Sequence, residues 1–344
     1  MVAEREVLED VGAGKGHLST VQLIHEEKYG GLVILKVPGH DISKNILLIS
    51  EERFQALHNT EVNMYTILGN HSEKGIRHPK VFYLESMDIH SKPVRAGCII
   101  MEYIAGITHL TVTDNLRPDE LVEPVKNLAR LHALGAELTE QEKKMIPGDF
   151  LREWFKELFT EKNTNMFMKH WEGGSLMDGL MTTPESKRAI PILHEIMKPE
   201  VFSKLNDDCH IHGIQQVLCH GDSSSANLLF EKLPNGSWVF KSICDFQGSN
   251  WGNAAQDLTR LFVTSMSGKD RREKGEYLMR EYYDELVRAT EGNAPFTWEQ
   301  LTRGYKRFLP HHAAIVCVTT PGSFLRALTG MSEGVEKQKV RACD

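Results

Sequence analysis

The sequence predicts an α+β protein with two lobes, one built on a small antiparallel sheet and the other mainly helical. Two observations lead to this prediction. The chain up to residue 103 reads as short apolar strands separated by turns, with one helical segment at 51–68, whereas most of the remainder has helical periodicity. The length of 344 residues suits two cores, at about 100–200 residues per domain. We therefore expect an N-terminal lobe of residues 1–103 and a C-terminal lobe of residues 104–344.

The composition is that of an ordinary globular protein, with 41% hydrophobic and 25% charged residues. The formal net charge of -7 gives no electrostatic reason to expect a nucleic-acid partner or an anionic membrane surface. The 6 cysteines lie far apart without a Cys-x-x-Cys pair, which favours a reducing compartment over a disulfide framework. The sequence shows no secretory signal and no apolar run of about 18 residues. We expect a cytoplasmic protein without a membrane span.

Three polar side chains follow apolar runs in the second half of the chain. Asp222 comes shortly after the run 217–219, Asn227 lies five positions later, and Asp245 follows a further apolar run. Carboxylate and carboxamide oxygens at strand ends can hold Mg²⁺ and orient a hydroxyl, as phosphoryl transfer requires. The alternative is a loop of turn-forming polar residues. The stretch is thus a candidate phosphoryl-transfer site if the chain also supplies a nucleotide site.

Alternating glycines near the N-terminus, Gly12, Gly14 and Gly16, allow backbone amides to approach phosphate oxygens closely. A Walker A loop is excluded, because Glu9 stands where its first glycine belongs and Gly16 where its Ser or Thr belongs. A Rossmann fingerprint is also excluded, because the lead-in is charged and residues 20–25 alternate like a strand rather than a helix. Two interpretations stay open, a loop that covers phosphates and a plain hairpin.

A lysine, Lys36, lies inside the apolar strand 32–37, where an unpaired charge is costly. Glu61 lies on the apolar stripe of the helical segment 51–68, where an unpaired glutamate is equally unfavourable. The pattern favours a buried Lys36–Glu61 ion pair, with the lysine aimed at nucleotide phosphates. The alternative is an edge-strand lysine that reaches solvent.

The remaining chain is expected to be mainly helical, at 119–138, 149–160, 185–205 and 271–289. Pro191 and Pro199 are expected to break up the third of these segments, and Pro310 to interrupt a helix that starts near Thr297. His132 is interpreted as a packed core histidine rather than a ligand. Residues 161–183 show no clean period and are interpreted as an insertion that contributes to substrate binding.

Taken in order, these motifs resemble the eukaryotic-protein-kinase-like superfamily. His220-Gly221-Asp222 together with Asp245 is similar to the aminoglycoside phosphotransferase and choline kinase branch of that superfamily. Within the branch, the chain looks most like the CHK-kinase-like group that includes ecdysteroid kinases, through residues 219–229, 245–247 and 257–261. The resemblance covers residues 12–324 and implies a protein-kinase-like two-lobed fold, a small antiparallel sheet lobe with one helix and a large, mainly helical lobe.

The resemblance also implies roles for individual residues. Asp222 would be the catalytic base, Asn227 and Asp245 would bind Mg²⁺, and His220 and Asp257 would support the loop. ATP would be bound by the remaining candidates, with the phosphates contacted by Gly12, Gly14, Gly16 and by Lys36 held by Glu61, and adenine contacted by Glu102, Tyr103 and Ile104.

The motif departs from related sequences at one place, since Ser223-Ser224 stands where a large apolar pair is usual. The smaller pair would either widen the substrate site or mark drift away from catalysis. Gln247, in place of the glycine of the protein-kinase motif, is usual for this group.

The resulting expectation is an ATP- and Mg²⁺-dependent phosphotransferase acting on a hydroxyl of a small molecule, with a steroid or another lipophilic alcohol as the acceptor that the resemblance suggests. A protein substrate is less expected, because no Ala-Pro-Glu-like segment lies between Asp245 and Asp257. The alternative is a catalytically weak kinase-like protein that binds a small molecule or a partner.

Overall fold

The computed structural model describes residues 7–10, 19–39, 50–108, 110, 114–148, 160–165, 184–198, 200–201, 204–205 and 207–319. The glycine segment with Gly12, Gly14 and Gly16 lies outside these ranges. So do nearly all of the predicted helix 149–160 and most of the predicted insertion 161–183. No helix within the described ranges combines the length and the apolar character needed to cross a membrane.

The N-terminal lobe is organised around an antiparallel sheet of five strands in the order β1-β2-β3-β5-β4. The strands are β1 Val7–Asp10, β2 Ser19–Glu26, β3 Gly31–Pro38, β4 Val81–Glu85 and β5 Cys98–Glu102. The turn into β3 uses Gly30 at φ 91° and Gly31 at φ 122°, a backbone region that glycine enters without steric cost.

Strand alternation gives β3 two different faces. Val33 and Leu35 pack with Ile24, Cys98 and Ile100 in a small core on one face. On the other face Ile34 lies opposite Met101, and Lys36 lies opposite Ile99; both partners belong to the main core. Register therefore places Lys36 on the face that the rest of the protein covers.

Helix α1, Glu51–Asn70, packs against that covered face. Ser50 caps its N-terminus, because the Ser50 side chain accepts a hydrogen bond from the Arg53 amide at 3.2 Å. Its buried stripe includes Leu57, Met64 and Leu68 and also holds Glu61. The predicted segment 51–68 is therefore a helix, and its stripe presents Glu61 to the sheet.

The C-terminal lobe is mainly helical. Its helices include α2 Val122–Leu134, α3 Glu140–Lys144, α4 Pro184–Ile196, α5 Asp207–Ile211, α6 Ala255–Ser265, α7 Gly268–Ala289 and α8 Trp298–Thr319. Helix α2 packs on α7, and α6 packs on α8. Leu128, Phe262, Tyr282 and Phe308 are almost fully buried between these helices.

Short strands carry the loops of this lobe. Strands β8 Leu228–Lys232 and β9 Trp238–Ile243 form an antiparallel hairpin, extended by β6 Ile107–Thr108. Strand β7 Val217–Cys219 pairs with β10 Asn250–Gly252. The β7–β10 pairing, which sequence periodicity did not indicate, brings the segment after β7 next to the segment after β9.

The expected breaks at Pro191 and Pro310 are wrong, and Pro199 lies outside the described residues. Helix α8 continues through Pro310, and α4 continues through Pro191. An internal proline costs a helix about 3 kcal/mol, because it removes a hydrogen bond and crowds the preceding turn. In α8 the flanking side chains Phe308 and Ala314 are fully buried against the core, and this packing holds the helix together.

Candidate active site

The loop after β7 is held by a close backbone contact at Gly221. Gly221 has φ 85°, and a β-carbon there would lie 1.8 Å from the carbonyl oxygen of Gly248. A residue with a side chain fits neither the backbone angle nor the space. The glycine between His220 and Asp222 is therefore a requirement of packing against the loop after β9.

A buried carboxylate, Asp257, fixes the same loop from α6. Its Oδ2 accepts a hydrogen bond from the His220 amide at 2.7 Å, and its Oδ1 accepts one from the Gly221 amide at 3.0 Å. Burial by itself would raise the pKa of Asp257, but the hydrogen bond from His132 and the bonds at His220 hold that pKa below its usual range. The geometry places Asp257 beneath the loop, as expected for a supporting residue.

The network behind Asp257 extends to α7. His132 Nε2 lies 3.0 Å from Oδ2 of Asp257, and His132 Nδ1 lies 2.6 Å from the Tyr282 hydroxyl. His132, Cys219 and Asp257 also bring their possible ligand atoms within 4.8 Å of one another. Both imidazole nitrogens are already hydrogen-bonded, and burial raises the pKa of the Cys219 thiol well above its usual value. The group is a structural network rather than a metal centre, with His132 as a core histidine.

Asp222, the candidate base, lies where the loop meets solvent, with about 40% of its side chain exposed. Arg260 Nε donates to its Oδ1 at 2.8 Å, and Asn227 Nδ2 donates to its Oδ2 at 3.2 Å. Burial would raise the pKa of Asp222, but the Arg260 guanidinium outweighs it and holds the pKa below its usual range. The carboxylate is thus ionised at neutral pH and reachable by a ligand.

Asn227 is oriented by its own loop. Its Nδ2 donates to the carbonyl oxygen of Asp222 at 2.8 Å as well as to the Asp222 carboxylate. Because the amide nitrogen is bound on that side, Oδ1 of Asn227 is the atom left to act as a ligand. An oxygen donor of this kind suits a hard divalent cation.

Asp245 lies after β9 in a left-handed backbone conformation, with φ 69° and ψ 63°. Lys36 Nζ donates to its Oδ1 at 2.7 Å, and Gln247 Nε2 lies 3.4 Å from its Oδ2. The strained backbone angle turns the Asp245 carboxylate towards the N-terminal lobe. Asn227 and Asp222 thus share direct hydrogen bonds. Asp245 follows Cys244, whose amide donates to the Asn227 carbonyl at 3.0 Å.

Phe246, which follows Asp245, packs against residues of both lobes. Phe246 is fully buried, with its ring centroid 5.3 Å from that of Tyr65 on α1 and 4.7 Å from that of His220. The His220 ring also contacts the Cys244 carbonyl through Nε2 at 3.0 Å and the Asp222 amide through Nδ1 at 3.3 Å. A proton on Nε2 satisfies both bonds, so His220 braces the loop from inside.

Lys36 joins the two halves of the site. Its Nζ lies 2.7 Å from Glu61 Oε2 and 2.7 Å from Asp245 Oδ1, and the residue is 7% exposed. The buried Lys36–Glu61 pair expected from the sequence is present, and the solvent-exposed alternative is not. Burial would lower the pKa of the Lys36 amine, but the Asp245 and Glu61 carboxylates hold it above its usual value.

The candidate adenine contacts lie where β5 ends. Glu102 Oε1 accepts a hydrogen bond from the Lys80 amide at 2.6 Å, and the Glu102 amide donates to the Lys80 carbonyl at 2.8 Å. The side chain and N–H of Glu102 are therefore used within the protein. Contact with adenine would have to come from the carbonyl oxygen of Glu102 and from the backbone of Tyr103 and Ile104.

The serine pair after Asp222 does not line the opening as the sequence suggested. Ser223 is fully buried, and its Oγ donates to the Asp257 carbonyl at 2.7 Å; Ser224 is 6% exposed. A small residue at Ser223 thus lets the loop lie directly on α6. The buried position of Ser223 gives no support to a widened substrate site, one of the two alternatives left open by the sequence.

Arg260 is the functional candidate that sequence reasoning missed. It stands in the stretch 257–261 that resembles the kinase-like group, yet only Asp257 received a role from that resemblance. Three residues along a helix correspond to nearly one turn, so Arg260 lies on the same face of α6 as Asp257. That spacing was the available signal.

Comparison with known protein families gives a match over most of the chain. The family described as "Uncharacterized oxidoreductase dhs-27" (DUF1679) matches residues 40–343. The Caenorhabditis elegans protein "Uncharacterized oxidoreductase dhs-27" is 24% identical over 266 residues, which cover 74% of this chain and 30% of that protein. The C. elegans "Uncharacterized kinase-like protein D1044.1" is 28% identical over 94 residues, covering 27% of this chain and 24% of that protein. The chain spans less than a third of the length of these curated relatives.

Among solved structures, choline kinase from Cryptosporidium parvum is similar with a TM-score of 0.51 and 12% identity, over 99% of this chain and 87% of that one. Ethanolamine kinase from Plasmodium vivax is similar with a TM-score of 0.50 and 17% identity, over 99% and 80%. The chain therefore has the protein-kinase-like fold that these two kinases share, and the predicted fold class is confirmed.

Proposed function

We propose that this chain, which belongs to the family described as "Uncharacterized oxidoreductase dhs-27", is an ATP- and Mg²⁺-dependent phosphotransferase that phosphorylates a hydroxyl group of a small molecule. The observation that carries the proposal is the position of Lys36, whose Nζ lies 2.7 Å from both Glu61 and Asp245. A buried cation between a helix carboxylate and a loop carboxylate is the arrangement that phosphate-binding kinase sites use.

The residues present fit a magnesium ion. Asn227 offers Oδ1, because its Nδ2 is bound to Asp222, and Asp245 offers Oδ2 beside the oxygen that Lys36 contacts. When held by these two oxygens, Mg²⁺ would supply positive charge that neutralises the phosphates. Lys36 would remain on Glu61 and exchange its contact with Asp245 for the α- and β-phosphates, covered by the segment with Gly12, Gly14 and Gly16.

Asp222 would receive the acceptor. Its carboxylate is ionised at neutral pH and partly exposed, so a hydroxyl can donate a hydrogen bond to it. The acceptor oxygen then bonds to the γ-phosphorus as the bond from that phosphorus to the bridging oxygen breaks. ADP leaves with that electron pair, and the hydroxyl proton passes to Asp222.

The word oxidoreductase stands in the description of the family and in the name of a relative of which this chain covers 30%. A dinucleotide-binding fold needs a parallel sheet with helical crossovers. Every pairing between strands in the described part of this chain is antiparallel. We therefore assign the kinase-like role to this chain. We also propose a cytoplasmic location, a lobe boundary at residues 103–104 and adenine bound at Glu102, Tyr103 and Ile104.

The alternative, a catalytically weak binding protein, was motivated by Ser223-Ser224. Ser223 is buried against Asp257, and the loop still presents Asp222 with Asn227 beside it. The serine pair thus gives that alternative no support.

The experiment is ATP turnover measured over a panel of steroids, other lipophilic alcohols, amino alcohols and sugars. We expect product with at least one acceptor and a loss of at least 100-fold, about the scale of a general base, in Asp222→Asn. Asp284→Asn, an exposed aspartate on α7, is the matched control. Equal product from the wild type and Asp222→Asn would refute the assigned base, and phosphate on a generic protein would indicate a protein kinase.

A further inference from the structure

One face of α6 contacts the loop 220–225 along its whole length. Asp257 binds the His220 and Gly221 amides, Arg260 binds Asp222, and Thr264 binds the Ser225 amide through its hydroxyl at 3.1 Å. The contacting positions are separated by three and four residues, which places them in a row along a helix. Helix α6 therefore fixes the position of the loop, and Arg260 is the cationic side chain that it places against the candidate base.

The contact between Arg260 and Asp222 has a defined geometry. Nε of Arg260 donates to Oδ1 of Asp222 at 2.8 Å, and Asn227 Nδ2 donates to Oδ2 over a longer distance of 3.2 Å. The Ser224 side chain also hydrogen-bonds to this carboxylate. Arg260 is the charged donor and it contacts Oδ1, whereas the donors Asn227 and Ser224 are neutral, so Oδ1 is held more strongly. The Arg260 side chain is 22% exposed and that of Asp222 is 40% exposed.

We propose that Arg260 is a positioning residue for the transfer: it holds the Asp222 carboxylate by Oδ1 and so presents Oδ2 to the acceptor hydroxyl. The inference rests on the proposed function, since it assigns the orientation of the base in that reaction. An unheld aspartate rotates about its side-chain bonds, and misplaced reacting groups lose much of the rate advantage of a preorganised site.

The other titratable groups around the pair do not replace Arg260. His220 lies inside the loop with both ring nitrogens bonded, and Asp257 is anionic and bound to backbone amides. His312 packs on α6 through Thr259, and burial lowers its pKa to about 3, helped by the Arg260 charge. His312 is therefore neutral near pH 7, and Arg260 is the cation in direct contact with Asp222 among the described residues.

Arginine and lysine differ here in a way that can be tested. The planar guanidinium fixes direction as well as charge, whereas an ammonium supplies a mobile point charge on a flexible stem. Arg260→Lys should therefore keep part of the electrostatic effect and lose orientation. Arg260→Gln should lose the charge while keeping a polar side chain.

The first readout is the pKa of Asp222, followed by NMR of protein labelled with ¹³C at the aspartate carboxyl carbons and assigned with Asp222→Asn. Removing an adjacent cation should raise that pKa by about 1–3 units in Arg260→Gln, with a smaller rise in Arg260→Lys. Arg288→Gln removes an arginine that pairs with Glu285 away from the site and should leave the pKa of Asp222 unchanged. An unchanged pKa in Arg260→Gln would overturn the proposal.

The second readout is the pH profile of turnover with the acceptor found in the panel. Arg260→Gln should lower kcat about 10- to 100-fold, raise the pH at which activity is lost in acid, and leave the KM for ATP unchanged. Arg260→Lys should recover part of kcat. A kcat loss with an unmoved pH profile, or an equal loss of ATP affinity, would show a merely structural role and contradict the proposal.

The two readouts separate this inference from the proposed function. If the wild type binds no ATP and phosphorylates no acceptor, the proposed function fails, and the Asp222 titration still decides whether Arg260 controls that carboxylate. If the wild type is active and Arg260→Gln matches it in both readouts, the proposed function stands and the inference on Arg260 fails. Circular dichroism of each variant checks that it folds, and Arg260→Lys serves where Arg260→Gln does not.

Discussion

The ammonium of Lys36 and the carboxylate of Asp245 lie 2.7 Å apart, although 209 residues separate them in the chain. Lys36 lies on β3 of the N-terminal sheet, and Asp245 follows the β8–β9 hairpin of the helical lobe. The ion pair links the two lobes at the position that we propose for nucleotide phosphates. A ligand that carries its own charges must therefore exchange with this contact.

Replacing Lys36 tests what the buried ion pair contributes. Lys36→Met would leave Glu61, which is 1% exposed, as an unpaired buried carboxylate. Breaking one partner of such a pair costs about 3–5 kcal/mol, so we expect a reduced free energy of unfolding in urea. Lys36→Met combined with Glu61→Gln should recover part of that loss, and Lys269→Met on an exposed lysine should change little. Equal stability of Lys36→Met and the wild type would contradict this account of the pair.

Gly221→Ala tests the contact between the two loops. Its β-carbon would lie 1.8 Å from the Gly248 carbonyl oxygen, in addition to the strain of a residue with φ 85°. Gly236→Ala is a matched control, because Gly236 has φ 83° but nothing lies within 4 Å of the added carbon. Both variants carry a backbone strain of about 1–3 kcal/mol, and only Gly221→Ala adds a clash. Thermal denaturation should show a much larger loss for Gly221→Ala; similar losses would mean that the loops separate at no cost.

Asp257→Asn tests the support beneath the loop. The pKa of Asp257 is lowered in the folded protein, so its carboxylate contributes stability above the pKa of the unfolded chain, and the contribution is lost as pH falls through the folded value. At pH 7 the substitution removes a charged acceptor of buried amides and should cost about 2–4 kcal/mol. Urea denaturation should show this difference shrinking below about pH 4. A difference independent of pH would argue against an ionised Asp257.

His312 also makes stability depend on pH, but here the folded protein holds the residue in its neutral form. Burial lowers its pKa to about 3, whereas an unfolded histidine titrates near pH 6.5. Between those values the unfolded chain binds a proton that the folded protein does not, so stability falls as pH falls, by up to about 1.4 kcal/mol per pH unit. His312→Asn should lose less stability than the wild type between pH 7 and pH 5. Parallel pH dependence of the two proteins would exclude His312 as a contributor.

The fold could be predicted from the sequence because periodicity and the cost of buried charge are local signals. The alternation of β3 and the stripe of α1 place Lys36 and Glu61 on facing surfaces, and the cost of burying either charge alone makes their pairing the favourable outcome. The apolar runs before Asp222 and Asp245 likewise placed both carboxylates after strands. Predicting these features requires only the periodicity of the sequence and the energetic cost of burying a charge.

The contacts around Arg260 and Ser223 could not be predicted in the same way. Arg260 meets Asp222 across 38 residues, and His132 meets Asp257 across 125 residues, through helix packing that no local pattern encodes. The direction of Ser223 towards α6 depends on that packing too. The continuity of α8 through Pro310 shows tertiary burial overriding a local rule.

Calorimetric titration of ATP with and without Mg²⁺ tests most directly whether Asp245 and Lys36 form a nucleotide site that requires magnesium. We expect the wild type to bind ATP with Mg²⁺ and at least 10-fold more weakly without it. Asp245→Ala should abolish the dependence on Mg²⁺, and Asp284→Ala, an exposed aspartate on α7, should preserve it. No binding at millimolar ATP, or binding that is equal with and without Mg²⁺, would contradict the account.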